Sequence, residues 1–154
     1  MGIDTVAAGA GVIGMMACPR GAADFAALAG WRPDAVVTLL PGEEMARLGV
    51  PDLGARVRAS GAAWHHLPIA DMRAPDAGFE AAWRTADLSG GVRAGARVLI
   101  HCRAGLGRTG TVAARLLIDL GLPPRHAIST IRAARPGTIE TAGQVAYLHA
   151  MGGG

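Results

Sequence analysis

Residues 101–110 read HCRAGLGRTG and join an apolar run, Arg97 to His101 (RVLIH), to a helical pattern through a glycine-rich turn. The apolar residues of that pattern recur on one face: Val112, Ala113, Leu116, Leu117 and Leu120. A buried strand that enters a helix through such a turn is typical of α/β folds, in which ligands bind at the carboxyl edge of the sheet. We therefore expect this helix to pack on a sheet and the turn to bind a ligand.

Strand-like runs and helical patterns also alternate along the rest of the chain. Two further strand-like runs, Ala35 to Leu40 and Ala63 to Ile69, lie upstream, and the helical patterns cover residues 21–30, 76–88, 126–134 and 141–151. The length of 154 residues fits one domain. The sequence predicts a single α/β domain over residues 1–154, with a central, mostly parallel sheet flanked by helices.

Composition limits the functional class. Apolar residues make up 51% of the chain and charged residues 18%, which is too hydrophobic for a disordered protein. Fifteen basic residues, all arginine, against twelve acidic ones give a net charge of +3, which slightly favours anionic ligands. The arginines are scattered and the aromatic residues form no stacking series, so we expect no nucleic-acid partner.

The cysteine content and the amino terminus predict location. Cys18 and Cys102 are the only cysteines, which excludes a disulfide framework and a cysteine zinc site and favours a reducing, cytoplasmic compartment. The apolar start lacks a basic leader and contains Asp4, so we expect mature protein rather than a signal peptide. No apolar run reaches 18 residues, so no membrane span is expected. Abundant Ala, Gly and Arg without Lys or Asn indicates GC-rich, bacterial coding DNA.

Gly9-Ala-Gly-Val-Ile-Gly14 fits the G-x-G-x-x-G pattern of dinucleotide-binding folds. In those folds the third glycine lies inside a helix. Here Pro19 and Gly21 follow too soon for a stable helix, so we expect an early strand or hairpin instead.

The turn after residue 101 combines an anion site with a nucleophile. Gly105 and Gly107 let the backbone curl so that N–H groups point inward, and the helix that starts near Thr109 adds its positive end. These groups favour a thiolate at Cys102, and the guanidinium of Arg108 can make two hydrogen bonds to a phosphate.

This Cys-x5-Arg-Thr stretch, preceded by His, resembles the phosphate-binding loop of cysteine-dependent protein tyrosine phosphatases. HLPIAD at residues 66–71 is similar to the His-x-Pro-Ile-x-Asp stretch of their dual-specificity branch, particularly of the phosphatases similar to the cyclin-dependent kinase inhibitor type. The sequence from Gln144 to Leu148 resembles the end of that branch. The likeness covers roughly Trp64 to Met151.

The resemblance implies roles for the loop residues. It implies that the phosphate would be bound by residues 102–108: Cys102, Arg103, Ala104, Gly105, Leu106, Gly107 and Arg108. Cys102 would attack phosphorus, Arg108 would bind the equatorial oxygens, and Thr109 would stabilise the thiolate when it leaves. His101 would set the shape of the loop through hydrogen bonds.

Two residues outside the loop complete the implied set. Asp71 would protonate the leaving oxygen and then deprotonate the attacking water, which Gln144 would orient. Asp76 is the alternative acid, although it also fits the N-cap of the following helix, and the spacing to Cys102 favours Asp71. We expect Arg103 to point to solvent. Cys18 is read as a packing residue, with a reversible disulfide to Cys102 as the alternative.

The sequence thus predicts a phosphatase that needs no metal or cofactor and acts on phosphomonoesters through a cysteinyl-phosphate. Phosphotyrosine in proteins is the first expected substrate, with phosphoserine and phosphothreonine also considered, and small phosphoesters are an alternative. A phospho-binding pseudophosphatase is one rival. A phosphoinositide or inositol phosphate phosphatase is another, but enzymes of that kind resemble HC-K-x-G-K-x-R, whereas Arg103 and Leu106 stand at the two lysine positions here. A rhodanese or arsenate-reductase-like enzyme is disfavoured by Asp71 and by the Arg-Thr-Gly continuation.

Overall fold

The computed structural model describes residues 2–152, which form one five-stranded sheet flanked by helices. In chain order the strands are β1 (Asp4–Ala8), β2 (Gly11–Met16), β3 (Ala35–Thr38), β4 (Ala63–His66) and β5 (Arg97–His101). Across the sheet the order is β1-β2-β5-β3-β4, and only the β1 and β2 pair is antiparallel. The predicted mostly parallel α/β sheet is confirmed.

Within residues 2–152, eight helices accompany the sheet. They are α1 (Ala22–Trp31), α2 (Gly42–Arg47), α3 (Leu53–Ala59), α4 (Ala77–Ala86), α5 (Leu88–Arg93), α6 (Gly107–Asp119), α7 (Pro124–Ala134) and α8 (Ala142–Gly152). None of the helices within residues 2–152 is long and apolar enough to cross a membrane.

The glycine pattern near the start of the chain forms a hairpin, as predicted. Gly9 adopts a φ of 57°, and the turn pairs Ala8 with Gly11 in register. A Cβ at Gly11 would collide with the carbonyl oxygen of Ala96, which explains the glycine there. The residues of the apparent dinucleotide motif therefore serve the turn and the packing of a strand.

The register of the parallel strands brings three loops to one edge of the sheet. Thr38 at the end of β3 pairs with His101 on one side and with His66 on the other. The loops that follow β3, β4 and β5 consequently leave the same carboxyl edge. Helix α6 covers the sheet with the predicted apolar face, of which Val112, Leu116 and Leu117 are buried.

Some element boundaries differ from those predicted. The strands expected to reach Leu40 and Ile69 end at Thr38 and His66, although the apolar residues beyond these ends are buried: Leu39, Leu40, Leu67 and Ile69. A proline follows each shortened strand within three residues and removes a backbone donor. The helix expected over 76–88 is two helices, because Asp87 turns to a φ of 48° and its carboxylate accepts a hydrogen bond from the Gly90 N–H of the second helix.

Candidate active site

In the loop between β5 and α6, the backbone carbonyls are hydrogen-bonded within residues 2–152 and the backbone N–H groups are not. Each carbonyl of residues 102–106 accepts a hydrogen bond from outside the loop. The donors are the His101 ring, the N–H groups of Cys18, Gly110 and Ile139, and the Arg135 guanidinium. No backbone N–H of residues 103–109 donates a hydrogen bond within the described chain. These N–H groups, the last three of which lie in the first turn of α6, are therefore left without protein partners, as in loops that bind anions.

Glycine is required where the loop passes the sheet. Gly105 adopts a φ of 74°, and a Cβ on it would lie 2.5 Å from the carbonyl carbon of Met16. The curl predicted from the glycine at this position is therefore present, and no larger residue fits. The helix begins at Gly107, two residues before the predicted start.

Cys102 lies in a small pocket of about 90 Å³ at this edge. The lining residues are Asp71, Met72, Cys102, Arg103, Ala104, Gly107, Arg108 and Glu140. The cysteine side chain is buried, as is the hydroxyl of Thr109, which lacks a hydrogen-bond partner in the part of the chain that the structure describes. A wider groove between β4 and α4, about 610 Å³, shares none of these lining residues and contains no cysteine.

Arg108 is held from the side that faces away from solvent. Its two terminal nitrogens each bind one carboxylate oxygen of Glu44 at 2.9 Å, and one of them also donates to the Ile69 carbonyl at 3.0 Å. The Arg108 hydrogen bond holds the pKa of Glu44 below its ordinary value. Sequence reasoning missed Glu44, because its short helix α2 was not predicted.

Asp71 and Asp76 occupy different environments. Asp71 lies in the pocket, half-exposed, 3.2 Å from Arg108 and 3.7 Å from the guanidinium of Arg103. Asp76 is the N-cap of α4 and accepts a hydrogen bond from the Phe79 N–H at 2.9 Å. Arg103 is exposed, as expected, and its contact with Asp71 places it at the pocket rim.

His101 stands behind the loop in a directed chain of hydrogen bonds. The Cys102 carbonyl can only accept, so Nδ1 carries the proton there, at 3.2 Å. Nε2 then accepts from the Thr38 hydroxyl at 2.7 Å, and that oxygen accepts from the Trp64 indole at 2.8 Å. Burial lowers the pKa of His101 to about 4. The neutral imidazole accepts the Thr38 proton, whereas a charged one would have to donate to the same oxygen and turn that proton away.

Gln144 borders the pocket wall rather than lining the pocket. Its amide oxygen accepts from the N–H groups of Glu140 and Thr141 at 2.9 and 3.1 Å, and its nitrogen donates to the Arg73 carbonyl at 3.2 Å. The carboxylate of Glu140 reaches the pocket instead, so close to Gly107 that a Cβ there would lie 2.5 Å from it. No motif signal drew attention to Glu140.

Cys18 is buried beside the loop, and both cysteines carry free thiols. Burial raises the pKa of Cys18 to about 11, and its backbone N–H donates to the Arg103 carbonyl. Within residues 2–152, no three His, Cys, Asp or Glu side chains are grouped to hold a metal ion.

Comparison with known proteins places this geometry in a family. Residues 9–148 match the family described as "PTP-SAK: Swiss Army Knife protein, DSP-PTPase phosphatase domain". Cyclin-dependent kinase inhibitor 3 of Rattus norvegicus is 37% identical over 110 residues, which cover 69% of this chain and 51% of the rat protein. The chain thus spans about half the length of the curated relative it matches.

Two solved structures extend the match. Kinase associated phosphatase (KAP), crystallised with its catalytic-site cysteine replaced by serine, has a TM-score of 0.84 at 28% identity, over 96% of this chain and 91% of that one. PTPMT1 in complex with PI(5)P has a TM-score of 0.77 at 20% identity, over 92% and 90%, which is a likeness of fold alone. The family predicted from the sequence is confirmed: the chain belongs to the dual-specificity branch of the protein tyrosine phosphatase superfamily.

Proposed function

We propose that this chain is a phosphatase that hydrolyses phosphomonoesters through a cysteinyl-phosphate at Cys102. The observation that supports this most strongly is the direction of the loop's polar groups: carbonyls bound from outside, N–H groups unused, and a buried cysteine among them. Such a site binds the oxygens of a phosphate while it presents a sulfur nucleophile to the phosphorus. A binding module would not need the sulfur or the acid.

In the first step, the Cys102 sulfur attacks phosphorus and the bond from phosphorus to the ester oxygen breaks. The loop N–H groups and Arg108 bind the three other oxygens, whose charge grows in the transition state. Asp71 donates a proton to the departing oxygen. Phosphate binding displaces the Asp71 carboxylate from the Arg108 guanidinium, and beside the bound anion Asp71 takes up from solvent the proton that it then gives to the leaving oxygen.

In the second step, water attacks the phosphocysteine, its proton passes to Asp71, and the sulfur leaves as a thiolate. The unpaired, buried hydroxyl of Thr109 donates to that sulfur in our proposal. Gln144 acts on the water indirectly, as a positioning residue that fixes the backbone of Glu140 at the pocket wall. His101 remains neutral and fixes the carbonyl of Cys102.

Phosphotyrosine in proteins is the substrate we propose first. Leu106 gives the loop an apolar residue in place of a lysine, and the rim carries the exposed apolar side chain of Met72. Two carboxylates, Asp71 and Glu140, border the pocket against a single exposed arginine, Arg103. A second phosphate would meet these carboxylates, which disfavours phosphoinositides. Phosphoserine and phosphothreonine remain secondary substrates.

We also propose that residues 1–154 act as one domain in the cytoplasm. Two free thiols, one of them in the pocket, fit a reducing compartment. The bacterial source stays a proposal from composition, since the curated relative reported above is mammalian.

The test is turnover of p-nitrophenyl phosphate by the wild type and by Cys102→Ser, with EDTA in a parallel sample. We expect turnover in the wild type, none in Cys102→Ser despite retained substrate binding, and no effect of EDTA, because Arg108 and the loop N–H groups supply the positive charge. Activity in the serine variant would contradict the mechanism. Phosphate binding without turnover in the wild type would identify a pseudophosphatase.

A further inference from the structure

Arg135, the residue after α7, reaches the back of the phosphate-binding loop. Its Nε donates to the Gly105 carbonyl at 2.7 Å and one terminal nitrogen donates to the Ala104 carbonyl at 3.2 Å. The other terminal nitrogen lies 3.0 Å from the carboxylate of Asp4 on β1. We propose that Arg135, fixed by Asp4, is a positioning residue that orients the loop for oxyanion binding. This inference rests on the proposed function.

Because the peptide bond is planar, these two contacts also fix the direction of two N–H groups of the loop. In a trans peptide the carbonyl and the following N–H point in opposite directions. Because Arg135 holds the Ala104 carbonyl outward, the Gly105 N–H must point inward. Arg135 also holds the Gly105 carbonyl outward, so the Leu106 N–H points inward as well. A guanidinium on one side of the loop therefore sets the direction of two N–H groups on the other.

The neighbouring peptide groups do not depend on a charged side chain. The Arg103 carbonyl is bound by the Cys18 N–H at 2.9 Å, and the Leu106 carbonyl by the N–H groups of Gly110 and Ile139 at 2.9 and 3.2 Å. Only the two middle carbonyls rely on Arg135. Glycine at 105 makes this part of the loop the easiest to rotate, since glycine adopts both signs of φ. Without Arg135, rotation would turn a carbonyl toward the anion.

Arg97 provides a matched control. It donates through Nε and a terminal nitrogen to the Trp31 carbonyl, at 3.1 and 2.8 Å, and is partly buried like Arg135. It lies at the amino end of β5, whereas the loop follows the carboxyl end. Lysine keeps the charge but lacks the planar fork, so the same substitution at both positions removes the same geometry.

The experiment is isothermal titration of inorganic phosphate into wild type, Arg135→Lys and Arg97→Lys, with Tm measured for each. We expect the dissociation constant to rise about tenfold or more in Arg135→Lys and to stay within about twofold in Arg97→Lys. KM for p-nitrophenyl phosphate should rise with it, and kcat should fall. Asp4→Asn should weaken binding by about two- to fivefold, because the guanidinium loses its anchor but keeps its loop contacts.

Unchanged phosphate affinity in Arg135→Lys would overturn the inference while the proposed function stands. An equal loss in Arg97→Lys, at an equal fall in Tm, would also overturn it, because general stability would then explain the effect. If Arg135→Lys does not fold, unchanged affinity in Asp4→Asn decides against the inference. A wild type that binds no phosphate would overturn the proposed function and this inference with it.

Discussion

Helix α6 carries two arginines that bind carboxylates: Arg108, which is buried, and Arg115, which is partly buried. The partners of Arg115 are all internal: Asp119 on the same helix, Glu80 on α4 and the hydroxyl of Tyr147 on α8. Tyr147 in turn donates to Glu80 at 2.8 Å, and burial raises its pKa, so it stays a donor. This group links three helices, and each of its hydrogen bonds named here joins two protein side chains.

Arg108 differs in one partner. Glu44 binds it from the buried side, but the opposite partner, Asp71, is 46% exposed and lies in a pocket with Cys102. In the proposed mechanism a phosphate replaces the carboxylate of Asp71, whereas the carboxylates that bind Arg115 are less exposed, at 21% for Glu80 and 25% for Asp119, and do not line the pocket of Cys102. A buried arginine with carboxylates is thus structural or functional according to whether one of its partners can be exchanged.

The largest effect we expect is a loss of activity on substitution of Arg108 that substitution of Arg115 does not cause. Arg108→Lys should lower kcat/KM for p-nitrophenyl phosphate by about 10³-fold or more, the scale of a lost arginine at a transferring phosphoryl group, with a modest change in Tm. Arg115→Lys should do the opposite: lower Tm and leave kcat/KM within about threefold. Steady-state kinetics and thermal unfolding of both variants check this. Equal losses of activity would remove the distinction.

The next largest effect concerns Asp71, the partner of Arg108 that a phosphate replaces in the proposed mechanism. Asp71→Asn should lower kcat by roughly 10²–10⁴-fold, because the amide can neither give nor take a proton, and the loss in kcat/KM, which reports the first step, should shrink for aryl phosphates with acidic leaving groups. Asp76→Asn should change little, since Asn also caps a helix well. The measurement is kcat and kcat/KM over a series of aryl phosphates. The reverse order of the two variants would assign the acid to Asp76.

A smaller effect is the loss of folding stability at low pH that the buried His101 should cause. The pKa of His101 is about 4 in the folded protein against an ordinary 6.5, so only the unfolded chain takes up this proton between those values. Stability should therefore fall as pH drops below 6.5, by up to about 1.4 kcal/mol per pH unit. Urea unfolding between pH 7 and pH 5 should show this slope, and His101→Gln should flatten it. Parallel slopes would be inconsistent with a buried neutral His101.

The smallest effect is on specificity. Glu140→Gln removes one negative charge from the pocket rim and should raise kcat/KM for a phosphoinositide about two- to fivefold relative to a phosphotyrosine peptide. The same substitution at Glu80, in the closed group around Arg115, should leave that ratio unchanged. A panel of both substrates provides the measurement. An unchanged ratio in Glu140→Gln would show that this carboxylate does not repel a second phosphate.

The sequence predicted the central part of the molecule well because local patterns specify it. The strand from Arg97 to His101, the glycine turn and the apolar face of α6 follow from spacing within about twenty-five residues. The early hairpin was predicted by excluding the helix that Pro19 forbids. Helices α2 and α3 were missed because each has only six or seven residues, too few for a helical period to emerge.

The supports of the site were not predictable for a different reason. Glu44 binds Arg108 across 64 positions, and Arg135 reaches the loop from 30 residues downstream, so no local spacing connects them. The sequence analysis placed Gln144 beside Asp71 at the site and did not consider Glu140. Only the structure shows that Glu140 is the one that lines the pocket. These contacts depend on how the helices pack, which one sequence does not reveal.

Detection of the covalent intermediate tests the central claim most directly. Wild type mixed with p-nitrophenyl phosphate, quenched in acid within the first turnovers and analysed by peptide mass spectrometry, should carry a phosphoryl group on Cys102. The adduct should be absent from Cys102→Ser and should accumulate in Asp71→Asn, which lacks the base for the water. Turnover without phosphorylated Cys102, or a phosphoryl group on another residue, would contradict the account.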